Sequence, residues 1–270
     1  MILRNRVLSL HPVGDGWRVE TGQGTIQAEH VVNASGLWAR PVGRKVGVDL
    51  PVTPIEHYYL VTEPIPGLKG RSKEIPTLVD LEGFIYTRQE GNGLLMGVYK
   101  RNPKAWRPEG AQWDYGTELL PPDIDRILDE LQLGFARHPA LQTVGIKRWV
   151  NGAFTFTPVG NPLIGPVPGV RTYWVACGVM AGFSHGGGVG LTLVRWIVDG
   201  NPGADVFGMD VARYGPHASA AGCLGEKTRQ FYSRRFLIAS PSRNLGRSRR
   251  CRSDRRGGAD SDRRTVGRAA

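Results

Sequence analysis

The chain begins with hydrophobic and polar positions that alternate. The alternation runs through residues 6–10, 17–21 and 25–27, and glycine-rich turns separate the three stretches. Alternation with a period of two is typical of strands that bury one face, and glycine permits tight turns between them. The pattern therefore predicts a three-stranded antiparallel meander over residues 1–33.

A strand, a turn and a helix are predicted next. Residues 30–36 read as a buried strand that ends in small residues, and residues 37–46 have helical spacing. Later in the chain, strands are predicted over 146–156 and 172–176, and a helix is predicted over 186–198. A further helix is predicted over 226–238.

The middle of the chain has a different pattern. Strands are predicted over 58–62, 84–88 and 94–99, with turns rich in proline and glycine between them, so a mixed or antiparallel sheet is expected. A helix is predicted over 121–138, because its apolar residues recur at helical spacing. These apolar residues are Ile124, Ile127, Leu128, Leu131 and Phe135. The fold class is therefore α/β (α+β).

Composition restricts the possible functions. A chain of 270 residues with 40% hydrophobic content can bury a core. It contains no apolar run of membrane-spanning length, and charged residues interrupt its start, so a cytoplasmic location is expected. The three cysteines have no spacing typical of zinc ligands, and no metal site is predicted.

The positive charge lies mainly at the end of the chain. Ten arginines and three aspartates fall within residues 240–270, so this segment holds +7 of the net +11. It has few large apolar residues and no periodicity, and we expect it to be disordered. A shifted reading frame is the favoured interpretation of this change in composition. Nucleic-acid binding by the arginines is an open but disfavoured alternative, because no aromatic motif accompanies them.

Two glycine-containing turns are candidate ligand contacts. The first follows residues 31–33, where a tight turn allows backbone N–H groups to approach a phosphate. The second spans residues 177–190, where six glycines would let a planar ring lie against the backbone. A strand packed closely on a helix explains the first equally well, and a flexible loop is the alternative for the second.

Polar aromatic residues on two predicted strands form the third candidate site. Alternation places His57 and Tyr59 on one face of their strand, and it places Tyr86 and Arg88 together on one face of theirs. An arginine can bind a carboxylate, and an imidazole or phenol can orient or deprotonate an amine. Cross-strand aromatic pairs beside a solvated arginine are the simpler alternative.

The chain resembles the dimethylglycine and sarcosine dehydrogenases of the D-amino-acid oxidase superfamily over residues 2–238. The likeness is carried by Val7, the run 31–40, His57-x-Tyr59-x-Val61-Thr62, the triplet 81–83, Tyr86-x-Arg88-Gln89-Glu90, and residues 150–152, 161–166 and 186–190. These matches occur in a consistent order, which is more specific than any one of them.

The resemblance implies FAD as cofactor and a particular domain organisation. Residues 1–50 and 145–215 would form part of a Rossmann-like FAD-binding domain, with a substrate domain at 51–144 inserted between them. A linker helix would follow at 216–239, and the tail at 240–270 completes the chain.

The resemblance also implies roles for individual residues. His57 and Tyr59 match the family's active-site strand, while Tyr86 and Arg88 match a substrate-facing pair. The implied cofactor contacts are Val7, Ala34, Gly36, Trp38, Met180, Ala181, Gly182, Phe183, Ser184 and His185. The implied reaction transfers hydride from an N-methyl carbon of dimethylglycine or sarcosine to FAD, and the electrons pass on to a protein or to oxygen.

The chain departs from the family's pattern in one respect, and other functions stay open. It contains no G-x-G-x-x-G sequence of the kind that seats a pyrophosphate. We therefore expect a truncated chain that binds FAD weakly or not at all, and the resemblance is expected to end near Ala239. A glycine oxidase-like enzyme that uses oxygen, and an inactive truncated product, are the alternatives.

Overall fold

The computed structural model describes residues 1–116 and 118–234. Three β-sheets and four α-helices are present in this part of the chain. The expectations for the arginine-rich tail, and for the end of the helix over 226–238, lie outside the described residues.

The predicted meander is confirmed. Strands β1 (Val7–Val13), β2 (Gly16–Thr21) and β3 (Gly24–Ala28) form an antiparallel sheet in the order β1-β2-β3. Leu10, Trp17 and Val19 are buried beneath it. Glycine at the β1–β2 turn is required, because Gly14 has a φ of 57°.

A second sheet contains one parallel strand pair. Strand β4 (Val31–Asn33) is three residues long and leads through a short 3₁₀ turn into helix α1 (Ala39–Arg44). The predicted strand, turn and helix are therefore all present, and the strand and the helix are shorter than predicted. Its parallel partner is β11 (Tyr173–Cys177), which also pairs antiparallel with β10 (Leu163–Pro166).

The largest sheet comes from the middle of the chain. Its strands are β5 (Thr53–Thr62), β6 (Leu78–Asp80), β7 (Ile85–Glu90), β8 (Gly93–Val98) and β9 (Ile146–Phe156). The order is β6-β7-β8-β5-β9, and all four neighbouring pairs are antiparallel.

Strand β9 pairs across the boundary drawn from the sequence at residue 145. It pairs with β5 from Thr53 to Thr62, although the predicted division assigns it to the flavin-binding part. The division into two domains stays a prediction.

Helix α2 (Leu128–Arg137) begins later than the sequence indicates. Its residues Leu131 and Gly134 are buried against the large sheet, whereas Leu128, which was predicted to lie on the apolar stripe, is 46% exposed. A separate 3₁₀ turn at Asp125–Ile127 precedes it and buries Ile127. The predicted apolar residues are thus divided between the 3₁₀ turn and α2, and they do not lie on one continuous helix.

Helix α3 (Gly182–Asp199) begins four residues before the predicted start. The backbone N–H groups of Ser184 and His185 both donate to the carbonyl of Ala181, which draws the expected loop into the first helical turn. None of the described helices is long and apolar enough to cross a membrane.

Helix α4 (Ala221–Ser233) returns to the large sheet. Its Tyr232 is completely buried and packs with Ile55, Phe84, Tyr99 and Phe156. Other core clusters lie around the two smaller sheets and between the large sheet and α2. The packing of α4 brings a residue from late in the chain beside strand β5.

Candidate active site

A cavity of about 510 Å³ lies on the large sheet, where β5 meets β9. This volume is within the range of small-molecule sites. The lining residues are His57, Tyr59, Tyr86, Tyr99, Val150, Gly152, Ala153, Phe154 and Ala181. Three phenols and an imidazole therefore face a cavity whose other walls are apolar or backbone.

His57 is held at the centre of this site by two phenols. Its Nδ1 lies 2.7 Å from the hydroxyl oxygen of Tyr232, and its Nε2 lies 3.0 Å from that of Tyr86. The imidazole stacks parallel to the Tyr86 ring, with 6.0 Å between their centres. The side chain is thus fixed at both ring nitrogens.

Two glycines make room for this arrangement. Gly152 lies opposite His57 in the β5–β9 pairing, and a Cβ at residue 152 would meet nothing within 4 Å, so the cavity is open there. Gly97 lies opposite Tyr86 in the β7–β8 pairing, and a Cβ at residue 97 would overlap the phenol ring. The ring of Tyr86 therefore occupies the space above Gly97.

Burial keeps Tyr86 protonated. Desolvation is the largest cause that raises the pKa of Tyr86 above its ordinary value, followed by the nearby Tyr99 and Tyr59, while Arg88 lowers it. A neutral phenol offers one hydrogen to a ligand and accepts at its oxygen. Tyr86 is therefore suited to hydrogen bonding in this cavity.

Arg88 does not line the cavity. It forms an ion pair of 2.7 Å with Glu90, and its side chain is 49% exposed. Of the predicted substrate-facing pair, Tyr86 therefore lines the cavity and Arg88 does not.

A second cavity of about 580 Å³ lies beside the first. It is lined by Ala34, Gly36, Leu37, Ala153, Phe154, Thr155, Ala176, Cys177, Gly178, Val179, Met180, Gly182 and Phe183. Both glycine turns named from the sequence contribute to it. Gly36 and Gly178 have φ values of 54° and 62°, which favour glycine at these positions.

The two cavities are neighbours. Ala153 and Phe154 line both of them, and the consecutive residues Met180 and Ala181 line one each. The strand of His57 and the loop before α3 therefore line two adjacent cavities that share part of their walls.

The implied cofactor contacts fall into three groups. Ala34, Gly36, Met180, Gly182 and Phe183 line the second cavity, and Ala181 lines the first. Four line neither cavity: Val7, Trp38, Ser184 and His185.

Two of these four residues have other contacts. Val7 pairs with Thr21 in the meander, and the indole N–H of Trp38 donates to the carbonyl of Gln112 over 2.9 Å.

Sequence reasoning missed several residues of the site. Tyr99 and Tyr232 contact His57 through their rings, with centres 4.7 and 6.0 Å away, and Phe154 does so at 5.2 Å. Tyr99 is the last residue of a predicted strand and could have been suspected from that position. Tyr232 carries no comparable pattern.

No group of three or more potential metal ligands occurs within residues 1–116 and 118–234. The chemistry of the described cavities comes from phenols, an imidazole and backbone groups.

Comparison with known proteins agrees with this geometry. A family model for FAD dependent oxidoreductases matches residues 1–196, and a model for the FAD dependent oxidoreductase central domain matches residues 199–253. The chain belongs to the FAD dependent oxidoreductase family. FAD is the cofactor of this family, and the predicted cofactor is confirmed at this level. The second match runs beyond Ala239, so the likeness extends further than the sequence pattern indicated.

The curated relatives of this oxidoreductase chain include two mitochondrial dehydrogenases. It is 45% identical to mitochondrial dimethylglycine dehydrogenase of Mus musculus over 241 residues, which are 87% of this chain and 28% of that protein. It is 34% identical to mitochondrial sarcosine dehydrogenase of Homo sapiens, over 83% of this chain and 24% of that protein. The resemblance drawn from the sequence is thereby confirmed, and the chain spans about a quarter of the length of these relatives. The cytoplasmic location expected from the sequence stays a prediction.

Solved structures confirm the fold of the oxidoreductase chain. L-proline dehydrogenase from P. horikoshii matches with a TM-score of 0.64 and 24% identity, over 77% of this chain and 53% of that one. Glycine oxidase from Geobacillus kaustophilus matches with a TM-score of 0.60 and 23% identity, over 78% and 52%.

The second cavity fits a flavin ring by its own geometry. A Cβ at Gly182 would meet nothing within 4 Å, so the backbone at the start of α3 is open to a flat ligand. The N-terminus of α3 has the positive end of its dipole at the same place, which favours an electron-rich ring edge. Ala34 and Gly36 of the first glycine turn would hold FAD together with Met180, which lies just before α3.

Proposed function

We propose that this chain supplies the substrate pocket and part of the flavin site of an enzyme that oxidatively demethylates dimethylglycine or sarcosine. The observation that carries the proposal is the contact between the phenol-lined cavity and the glycine-lined cavity along Ala153 and Phe154. A substrate in the first cavity would then lie against a ring in the second. The 45% identity to dimethylglycine dehydrogenase supports this substrate class.

The first cavity suits a small N-methylated amino acid. Val150, Ala153, Phe154 and Ala181 offer apolar surface to methyl groups, while Tyr59 and Tyr86 present hydroxyls. None of the residues that line this cavity is a lysine or an arginine, so hydrogen bonds from the phenols would orient the carboxylate.

His57 and Tyr59 are the proposed catalytic residues. Neighbouring pairs along β5 and β9 fix their positions, since His57 lies opposite Gly152 and Tyr59 opposite Val150. Both side chains face the cavity, where they would contact the substrate and orient its amine nitrogen for oxidation. Bound FAD would supply the acceptor for the hydride that leaves the N-methyl carbon. Water then adds to the resulting iminium, and formaldehyde and the demethylated amine separate.

The test is an anaerobic mixture of the purified chain, FAD and dimethylglycine. We expect the absorbance of oxidised flavin to fall and sarcosine to form in equal amount. The variants His57→Gln and Tyr59→Phe should slow this fall at least about tenfold, because each loses a group that contacts the amine. Flavin that stays oxidised in the presence of dimethylglycine and sarcosine contradicts the proposal.

The electron acceptor is a separate part of the proposal. We infer a protein acceptor, since the relatives with the higher identities are named dehydrogenases. Glycine oxidase of Pseudomonas putida, at 27% identity over 59% of this chain, is the basis of an oxygen-using alternative. Stoichiometric peroxide release on admitting air would favour the oxidase.

A further inference from the structure

Tyr232 contacts the proposed catalytic site from an element outside the large sheet. It lies on α4, is completely buried, and places its hydroxyl oxygen 2.7 Å from Nδ1 of His57. Among the residues that the structure describes, His57 is its one hydrogen-bond partner. This contact joins positions 175 residues apart in the sequence.

The phenol of Tyr232 must act as the donor in this hydrogen bond. Burial is the main cause that raises the pKa of Tyr232 far above its ordinary value, so the hydroxyl keeps its hydrogen. A buried O–H group with no acceptor costs about 1–3 kcal/mol, and Nδ1 of His57 is the acceptor within reach. Nδ1 therefore carries the lone pair.

The hydrogen of a neutral imidazole is then on the other nitrogen. A neutral histidine has one N–H group, so an accepting Nδ1 places the hydrogen on Nε2. Nε2 lies 3.0 Å from the hydroxyl oxygen of Tyr86 and donates to it. The oxygen of Tyr86 is thereby an acceptor, and its own hydrogen can point into the cavity.

We propose that Tyr232 is a positioning residue that holds His57 in the Nε2–H tautomer, so that Tyr86 offers its hydroxyl hydrogen to the ligand. The reverse chain of hydrogen bonds would make Tyr86 donate to His57 and present only lone pairs to the cavity. The first arrangement binds an acceptor such as a carboxylate, and the second binds a donor such as an ammonium group. The tautomer of His57 does not depend on the identity of the ligand, but the assignment of the ligand as an amino-acid carboxylate rests on the proposed function.

The tautomer of His57 can be measured without flavin or substrate. Long-range ¹⁵N–¹H correlation NMR of the full chain distinguishes the ring nitrogen that carries hydrogen, and the His57→Gln variant assigns the resonance. We expect Nε2–H in the wild-type chain. A wild-type spectrum with hydrogen on Nδ1 overturns the proposal.

Tyr232→Phe tests whether the phenol sets this tautomer. We expect the Nδ1–H form to appear, because Tyr86 can then donate to Nε2. Tyr58→Phe is the matched control, since Tyr58 is 1% exposed but donates to Glu56 over 2.7 Å. An unchanged tautomer in Tyr232→Phe, or an equal change in Tyr58→Phe, overturns the proposal.

Ligand binding tests the consequence for Tyr86. Tyr86→Phe should weaken the binding of dimethylglycine about tenfold or more, as expected for a lost hydrogen bond to a charged group. Unchanged binding in this variant overturns the donor role of Tyr86. Failure of the wild-type chain to bind dimethylglycine would instead contradict the proposed substrate class. The tautomer measurement uses no ligand and would not be affected by that failure.

Discussion

Gly97 and Tyr86 face each other across strands β7 and β8, and the phenol ring occupies the space that a side chain at residue 97 would fill. The position of the phenol over the cavity thus depends on a residue with no side chain. Gly97→Ala should shift Tyr86 and lower the free energy of unfolding by about 1–3 kcal/mol, as is typical of overpacking.

Urea denaturation measures this difference. Gly152→Ala on β9 is the control, because its new Cβ would meet nothing within 4 Å. Equal stability of the Gly97→Ala and wild-type chains would show that the ring of Tyr86 lies elsewhere.

Lys100 should destabilise the folded chain near neutral pH. It is 3% exposed, and its Nζ has no hydrogen-bond partner within the described residues. Burial is the main cause that lowers the pKa of Lys100 from 10.5 to about 8. Lys100→Met should therefore raise the free energy of unfolding by about 1–3 kcal/mol near neutral pH.

The sign of this effect depends on pH. Because the folded pKa of Lys100 is the lower one, the unfolded chain binds more protons between about pH 8 and pH 10.5, and wild-type stability rises with pH there. The advantage of Lys100→Met should shrink over this window in urea denaturation. A constant difference from neutral pH to pH 10.5 would contradict a buried ammonium group.

Arg40 links three distant parts of the chain. Its guanidinium is buried, donates to both carboxylate oxygens of Asp49 over 2.7 and 2.8 Å, and donates to the carbonyls of Pro108 and Ser219. Arg40→Met should lower the free energy of unfolding by about 3–5 kcal/mol, because it leaves both carbonyls without this donor and Asp49 with Arg44 as its remaining partner. Thermal or urea unfolding measures the loss. Arg44→Met is the control, since its half-exposed side chain should matter less.

The same network predicts sensitivity to acid. Burial raises the pKa of Asp49, but hydrogen bonds from Arg40 and Arg44 outweigh it and leave the pKa below its usual value. A carboxyl with a lowered folded pKa contributes stability that is lost as pH falls through that pKa. Asp49→Asn should therefore flatten the decline of stability in acid, and an unchanged slope would contradict this role.

Helix α3 exposes an apolar face. Leu191, Val194 and Val198 are 54%, 58% and 73% exposed, and Phe183, which lines the second cavity, is fully exposed. Exposed apolar patches bind hydrophobic dyes and promote association. Val194→Lys with Val198→Glu should reduce dye binding without lowering the free energy of unfolding. Unchanged dye binding would show that this face is not the accessible apolar surface.

Local patterns predicted much of the fold, and long-range contacts account for what they missed. Alternation and turn glycines specified β1 to β3 because a meander pairs neighbours in sequence. The start of α3 was missed, because glycine favours loops. The hydrogen bonds from Ser184 and His185 to the carbonyl of Ala181, which begin the helix, leave no sequence pattern. Alternation placed Tyr86 and Arg88 on one face but could not show that Glu90 pairs with Arg88.

The candidate site shows the same limit. His57, Tyr59 and Tyr86 were named because strand periodicity and the resemblance both pointed to them. Tyr232 could not be named, since its contact with His57 exists only after α4 packs on the sheet. Gly152 could not be named either, because its role is to leave open space opposite His57, and this depends on the pairing of β5 with β9.

Interligand NMR contacts test most directly whether the two cavities hold flavin and substrate side by side. The chain would be mixed with chemically reduced FAD, which prevents turnover, and with dimethylglycine. We predict nuclear Overhauser effects between the N-methyl hydrogens and the isoalloxazine ring, and their loss in Gly152→Leu, whose side chain fills the first cavity. Binding of both ligands without such contacts, or contacts that persist in Gly152→Leu, would contradict the account.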